Sequence, residues 1–139
     1  MRTKGYALKT GCDVEAALSV IGGLWKPVIL FKLLDGRKRF GELHRLVPNA
    51  TQRMITLQLR ELEADGIVAR HVYPEVPPRV EYELTGYGRS LRPILEALRA
   101  WGEMHRSTAR KLPLARGAGE AASGRKLRKS SPDHKARVA

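Results

Sequence analysis

The chain has 139 residues and carries 26 Lys or Arg against 14 Asp or Glu, which gives a formal net charge of +12. Its single cysteine, Cys12, excludes an intrachain disulfide and with it the disulfide-built class of small secreted domains. The first residues lack the apolar run of a leader, and no stretch approaches the roughly 20 apolar residues of a membrane span. We therefore expect a cytoplasmic protein that does not contact membranes.

The basic residues are unevenly distributed. Residues 106–139 carry 10 Lys or Arg and 2 Asp or Glu, whereas residues 1–105 carry 16 and 12. A basic balance favours polyanionic partners such as DNA, RNA or acidic membrane surfaces, although charge also keeps proteins soluble. We predict a mildly basic folded domain at 11–112, between an N-terminal arm at 1–10 and a basic disordered tail at 113–139 that lacks apolar periodicity.

The first half of the chain has helical periodicity. Helices are predicted over residues 13–21, 24–34, 40–47 and 51–65. Asp13 and Thr51 are candidate N-caps for the first and fourth of these helices. The second helix is apolar on most sides, which predicts a place in the centre of the core. In the fourth, Ile55, Leu59 and Leu62 form a single apolar stripe.

Beyond residue 66 the periodicity changes. Two strands are predicted over residues 67–73 and 80–84, which are rich in β-branched and aromatic residues. The segment 74–78 between them contains three prolines and cannot extend a ladder, so it predicts a hairpin with a projecting loop. Thr85 is a candidate cap for one long helix over 86–106, again with a single apolar stripe.

This order of elements predicts a winged helix-turn-helix, a mostly helical α+β fold with a two-stranded β wing and a long C-terminal dimerisation helix. The 51–65 helix would then enter the major groove of DNA with its buried stripe turned away. The side chains on its groove-facing side are expected to be Thr51, Gln52, Arg53, Thr56, Leu57 and Arg60. Gln and Arg carry the paired donors and acceptors that read adenine and guanine edges, and a helix start can hold a phosphate.

The wing supplies further candidate DNA contacts. Arg70, His71 and Arg79 flank its tip and are expected to lie along the DNA backbone, where contacts position the protein rather than read sequence. Taken singly, each of these cations and each polar residue of the 51–65 helix is also consistent with an ordinary solvated surface. The order of the elements favours DNA binding.

Several blocks of sequence occur in one register between about residues 11 and 106. They are IGGLWK (21–26), RFGEL (39–43), QLRELEADGIV (58–68), YPEVPPRVEYELT (73–85), GRSL (88–91) and WG (101–102). On these blocks, and on the wing run above all, the chain resembles the HxlR-type transcription regulators of bacteria. The resemblance implies a homodimeric repressor or activator whose dimer is built from the first and last helices. Its partner would be a roughly two-fold symmetric DNA operator with half-sites about one turn apart.

Two positions depart from the family's usual pattern. Cys12-Asp13 stands where Cys-Pro is frequent, and Leu57 stands where a second glutamine is common. Leu57 suits a thymine methyl group more than a base hydrogen bond. The resemblance implies a redox or electrophile sensor at Cys12. A helix start favours thiolate, whereas Asp13 opposes it and no second cysteine can resolve an oxidised thiol, so a bystander is the alternative.

No pattern indicates catalysis. His44, His71, His105 and His134 have no spacing typical of a metal or catalytic site, and the chain lacks a glycine-rich phosphate loop. We therefore expect no enzymatic activity, no cofactor and no metal. The alternative function is a winged-helix module that binds protein, or one that coats DNA without choosing a sequence, with phosphate contacts from the tail segment 125–129.

Overall fold

The computed structural model describes residues 8–111, so the predicted tail at 113–139 and most of the predicted arm at 1–10 lie outside the described residues. The elements in chain order are α1 (Asp13–Ile21), α2 (Trp25–Leu33), β1 (Lys38–Arg39), α3 (Phe40–Leu46), α4 (Gln52–Ala64), β2 (Val68–Tyr73), β3 (Arg79–Leu84), α5 (Gly86–Arg89) and α6 (Arg92–Lys111). The predicted fold class is confirmed: the domain is mostly helical, with a small antiparallel sheet and a long C-terminal helix.

The core lies between α2, α4 and the sheet. The predicted stripe on α4 is buried, since Ile55, Leu59 and Leu62 are each at most 1% exposed. Its neighbours in the core include Ile29, Leu30 and Leu33 from α2 and Val68, Tyr82 and Leu84 from the sheet. Burial of one such aliphatic side chain contributes about 1.5–3 kcal/mol. This packing fixes the rotation of α4 and so decides which of its side chains face outward.

Helix α1 begins differently from the prediction. The N-cap residue is Cys12, in extended conformation, and Asp13 is the first residue of the helix rather than its cap. Glu15 supplies the missing capping contacts to the preceding segment: its carboxylate accepts hydrogen bonds from the backbone N–H groups of Lys9 (2.6 Å) and Thr10 (2.8 Å), and from the Thr10 hydroxyl. These bonds, that of the Thr10 side chain first, hold the pKa of Glu15 below its ordinary value.

The predicted hairpin is present, and a third strand joins it. The strand order is β1-β3-β2, with both pairs antiparallel. In the β2–β3 pair Val68 lies opposite Leu84 and Tyr73 opposite Arg79. β1 contains only Lys38 and Arg39, which lie opposite Tyr82 and Glu81. Two charged residues have no apolar alternation, so the sequence did not indicate this strand; its pairing with β3 creates it.

The single helix predicted over 86–106 is wrong at its start, because the structure divides it into α5 and α6. The break falls at Ser90 and Leu91, whose N–H groups donate to carbonyl oxygens three residues back, both at 3.1 Å. Pro93 explains it: proline has no N–H to donate and its ring clashes with the carbonyl four residues earlier. An uninterrupted helix would place that clash at Arg89, so α6 begins at Arg92 and Pro93 lies in its first turn.

The packing divides the chain into two units after Trp101. All the core residues named above belong to the first unit. The described part of the second unit, from Gly102, is the last half of α6. There the hydroxyls of Ser107 and Thr108 donate to the carbonyl oxygens of Glu103 (3.2 Å) and Met104 (2.9 Å), one turn back.

Candidate nucleic-acid interface

The outward face of α4 carries the side chains that the sequence predicts for base contact. Gln52, Arg53, Thr56, Leu57 and Arg60 line one shallow depression of about 640 Å³. The structure therefore brings these five together, on the side of α4 away from its buried stripe. Leu57 is 49% exposed, so its apolar side chain is accessible on this face. The Thr56 hydroxyl donates to the Gln52 carbonyl (2.9 Å), so it keeps acceptor capacity for a ligand.

Thr51, the other residue predicted on this helix, is its N-cap. Its side-chain oxygen accepts a hydrogen bond from the Met54 N–H (3.1 Å). Thr51 is exposed but is not among the residues that line the depression. Its contact stabilises the first turn of α4 and holds Gln52 at the helix start. N–H groups of this first turn that have no partner within the helix remain available to an anion.

A larger groove lies between the wing and the start of α4. Its volume is about 670 Å³, and α3, α4, the loop at 75–78 and both wing strands line it. Arg39, Arg45, Arg70 and Arg79 belong to its lining, with Gln52 and Thr56, and they outnumber its two carboxylates, Glu42 and Glu75. Guanidinium groups bind phosphate in a two-pronged geometry, so four arginines around one groove form a surface suited to a polyanion.

Arg39 and Arg45 are the members of this groove that sequence reasoning missed. Arg39 precedes α3 and reaches the groove because β1 pairs with β3, while Arg45 lies in the last turn of α3. The position of these two arginines in the groove does not follow from helical periodicity or from the predicted hairpin. The RFGEL block that contains Arg39 indicates the family resemblance, but its sequence does not predict a contact with the groove.

The outer face of the sheet contains an ion-pair network, and this is where His71 lies. Its Nε2 is 2.7 Å from Glu83 Oε1, and Arg37 donates to the same carboxylate (3.0 Å) and to the Tyr73 hydroxyl (2.6 Å). The Arg37 guanidinium, followed by His71, holds the pKa of Glu83 below its ordinary value. His71 is not among the residues that line the groove, whereas Arg70 and Arg79 are.

Arg79 bridges the base of the wing loop. Its Nη2 is 3.2 Å from Glu75, its Nε is 3.7 Å from Glu81, and its guanidinium lies 4.1 Å from the centre of the Tyr73 ring. The Nε atom is buried and has no hydrogen-bond partner within residues 8–111. Arg79 thus holds both ends of the loop together while part of its side chain lines the groove.

A second surface surrounds Cys12. The thiol-bearing residue is exposed, and it shares a concavity of about 590 Å³ with Val14, Leu18 and the glycines that end α1. Val14 and Leu18 are 65% and 57% exposed. On α6, exposed apolar side chains recur at helical spacing: Ile94, Leu98 and Trp101. Exposed apolar stripes of this kind are characteristic of protein–protein contact surfaces.

Residues 8–111 contain no metal-binding cluster and no single helix that could span a membrane. No group of three or more His, Cys, Asp and Glu side chains in this part of the chain is placed to hold a metal ion. None of its helices is by itself both long and apolar enough to cross a bilayer; α1 and α2 meet that test only as a pair, with a bend of 77° between them.

Residues 20–110 match the family described as HxlR-like helix-turn-helix. The chain belongs to this family. The uncharacterized HTH-type transcriptional regulator YybR of Bacillus subtilis (strain 168) is 57% identical over 101 residues, which are 73% of this chain and 81% of YybR. The similarly described YtcD of the same organism is 62% identical over 97 residues, covering 70% and 77% of the two chains.

Solved structures of the redox regulator HypR are also similar to this HxlR-like chain. The reduced form is 53% identical, with a TM-score of 0.69 over 73% of this chain and 100% of HypR. The oxidized form is 58% identical, with a TM-score of 0.64 over 67% and 96%. The chain is therefore a transcriptional regulator of the helix-turn-helix type, and its relatives are regulators rather than enzymes.

Proposed function

We propose that this HxlR-like chain is a sequence-specific DNA-binding regulator that acts as a homodimer on its operator, as a repressor or an activator. The observation that carries the proposal is the arrangement of the α4 face beside the arginine-lined groove. A helix face with Gln, Arg and an exposed Leu offers base-reading groups, and four neighbouring arginines offer phosphate-binding groups. These are the two kinds of contact that a regulator needs.

In the proposed complex, the N-terminal end of α4 enters the major groove first. Gln52 and Arg53 lie in the first turn, where they reach base edges, and Leu57 and Arg60 follow on the next turns. Thr56 completes the polar face through the acceptor capacity of its hydroxyl. Thr51 contributes as the helix cap, and the N–H groups of the turn that it caps are available to a phosphate.

The wing and its groove would follow the DNA backbone. Arg70 is exposed and lines the groove, so it is the wing residue best placed for a phosphate. Arg79 combines a phosphate contact with its bridge across the loop. His71, which is engaged with Glu83, would reach DNA only from the outer face of the wing. We rank its contribution below those of the two arginines.

The exposed apolar stripes support a homodimer. Val14 and Leu18 on α1, and Ile94 and Leu98 on α6, are apolar side chains that are between 44% and 65% exposed in the isolated chain. Burying apolar surface yields about 25 cal/mol per Å², and two-fold symmetry lets one patch serve both partners. Such a dimer would place two copies of α4 on successive major-groove faces of a symmetric operator.

Cys12 is the proposed redox or electrophile sensor. It is exposed at the cap of α1, beside apolar residues assigned here to the dimer interface. HypR, a redox regulator with oxidized and reduced structures, is similar over most of its length. Two Cys12 thiols from two protomers would lose two protons and two electrons to an oxidant such as diamide and form an intersubunit disulfide. Modification by methylglyoxal is the electrophile counterpart.

The remaining assignments are also proposals. We assign the protein to the cytoplasm, where its DNA target lies, and divide the chain into an arm at 1–10, the winged-helix domain at 11–112 and a basic tail at 113–139. The tail would add non-specific phosphate contacts. If the tail supplied most of the affinity, the protein would instead be a module that coats DNA without sequence preference.

The test is a titration of the full chain against DNA from its own upstream region and against a shuffled duplex, at several salt concentrations. We expect at least ~10³-fold tighter binding to the native sequence, lost in a Gln52→Ala/Arg53→Ala variant. Equal binding to both duplexes, unaffected by that variant but lost when residues 113–139 are removed, would overturn the proposal. Analytical ultracentrifugation of a Leu18→Glu/Leu98→Glu variant tests the dimer separately.

A further inference from the structure

Glu81 on β3 lies among three arginines. Its carboxylate oxygens are 3.5 Å from Arg37, 3.9 Å from Arg39 and 3.7 Å from Arg79. The side chain is only 16% exposed, so its carboxylate is partly shielded from water. Charge-assisted N–H···O bonds have lengths of about 2.7–2.9 Å, which is shorter than any of the three. Glu81 therefore attracts the arginines through charge without binding them at close range.

Glu83, two residues along the same face, behaves differently. It is held at 2.7 Å by His71 and at 3.0 Å by Arg37. Neither His71 nor Arg37 is among the groove-lining residues, whereas Arg39 and Arg79 are. The two glutamates thus divide their partners: Glu83 makes short bonds to groups outside the groove, and Glu81 makes long contacts to two arginines that line it.

We propose that Glu81 is an intramolecular substitute for a DNA phosphate. In the free protein its carboxylate holds Arg39 and Arg79, and in the complex these guanidinium groups exchange it for phosphate oxygens. The inference rests on the proposed function, since it needs DNA to enter the groove. Its consequence is regulatory: Glu81 lowers the affinity for DNA backbone of any sequence and leaves discrimination to α4.

The geometry indicates that little free energy is lost when Arg39 and Arg79 exchange Glu81 for phosphate. Arg39 is 58% exposed at its side chain, so it can turn from Glu81 toward the groove without losing a short bond. Arg79 lies 3.7 Å from Glu81 and keeps its shorter contact with Glu75, at 3.2 Å, when its contact with Glu81 weakens. Glu81 itself is not among the groove-lining residues, but it lies 3.9 Å from Arg39 and 3.7 Å from Arg79, so its charge repels a phosphate that approaches these two arginines.

The experiment is a fluorescence-anisotropy titration of full-length wild type and Glu81→Gln against the upstream duplex and a shuffled duplex. Partly exposed ion pairs of this kind are weak, so we expect Glu81→Gln to bind both duplexes about three- to tenfold more tightly, with the same ratio between them. The gain should shrink as salt rises, because screening weakens Coulomb attraction. When Glu81→Gln is added to an Arg39→Gln/Arg79→Gln variant, this gain in affinity should disappear.

Glu83→Gln is the matched control, since it removes the same charge from the same face. We expect its affinity to stay within about twofold of wild type. Thermal denaturation identifies any variant whose wing is damaged. Unchanged or weaker binding by a folded Glu81→Gln protein, or a gain as large in Glu83→Gln, would overturn the inference. Two further variants test the proposed function separately. If Arg45→Gln loses DNA binding, DNA occupies the groove. If Arg45→Gln and Gln52→Ala both bind DNA as tightly as wild type, the proposed function is wrong, and not only the inference about Glu81.

Discussion

The Lys26 ammonium group on α2 contacts the Glu61 carboxylate on α4, which joins the central core helix to the proposed DNA-reading helix. The Lys26 side chain is 10% exposed, whereas that of Glu61 is 48% exposed. The Lys26 side chain is therefore largely buried, and its partner Glu61 reaches the surface. A buried charge without a partner is strongly unfavourable, so the position of Glu61 is constrained by the core beneath it.

Replacing the surface partner of this pair should destabilise the protein. We expect Glu61→Gln to lower the free energy of unfolding by about 1–3 kcal/mol, measured by urea denaturation, because it leaves Lys26 uncompensated. Adding Lys26→Met should restore most of that loss, since no charge is then buried. Glu63→Gln, an exposed carboxylate on the same helix, is the control. If the urea midpoints of Glu61→Gln and Glu63→Gln are equal, the Lys26–Glu61 pair contributes nothing to the free energy of unfolding.

A second prediction concerns the contact of α5 with the strand that enters the wing. A Cβ on Gly88 would lie 2.1 Å from the carbonyl oxygen of Ile67, which is backbone and cannot move aside cheaply. Gly88→Ala should therefore lower the free energy of unfolding by about 1–3 kcal/mol. Gly86→Ala is the matched control, because a Cβ there meets nothing within 4 Å. The melting temperature of Gly88→Ala should be several degrees below that of Gly86→Ala. Equal melting temperatures would contradict the close approach of Gly88 to the Ile67 carbonyl.

The elements that the sequence predicted well are those whose pattern is local. Ile55, Leu59 and Leu62 recur at helical spacing, and that spacing is enough to locate α4 and its buried side. β1 could not be found this way, because Lys38 and Arg39 form a strand only by pairing with residues more than 40 positions away. The break before α6 had a local signal in Pro93, but the apolar stripe on both sides of it outweighed the proline.

The same distinction applies to the candidate site. The α4 face follows from rotation of 100° per residue once the buried stripe is known, and the five side chains do share one surface. Arg39 and Arg45 joined the groove only through tertiary packing. The side-chain contacts of the wing depend on strand register, which places Tyr73 opposite Arg79 and His71 opposite Glu81. A register cannot be read from two short strands alone.

The Arg37–Glu83 pair predicts a dependence of stability on pH. The pKa of Glu83 is lowered from its ordinary value of 4.5, by Arg37 first and His71 second, so the folded state favours the ionised carboxylate. The stabilisation is therefore present above about pH 4.5 and is lost as the pH falls through the lowered pKa. Urea midpoints of wild type and Arg37→Gln should differ at pH 7 and converge as the pH is lowered below 4.5. A difference that stays constant across this range would assign the effect of Arg37 to its bond with Tyr73.

The final prediction concerns Leu57, the exposed leucine between Arg53 and Arg60 on the α4 face. Water covers about half of its side chain in the free protein, so Leu57 contributes little to the core and is available to a ligand. On DNA an apolar side chain is complementary to the thymine methyl group, which lies at the major-groove edge of the base pair. Leu57 should therefore favour thymine at one position of each half-site.

Replacing Leu57 should change this preference with little cost in stability. In a selection from randomised duplexes, we expect Leu57→Gln to replace thymine by adenine at one position per half-site, because glutamine pairs with the N6 and N7 groups of adenine. Leu57→Ala should lose the thymine preference without gaining another, a change of about 1–3 kcal/mol at that base pair. Met54→Ala is the control, since Met54 does not line the depression. If all three variants select the wild-type sequence, Leu57 does not contact a base, and the reading surface of α4 is confined to its first turn.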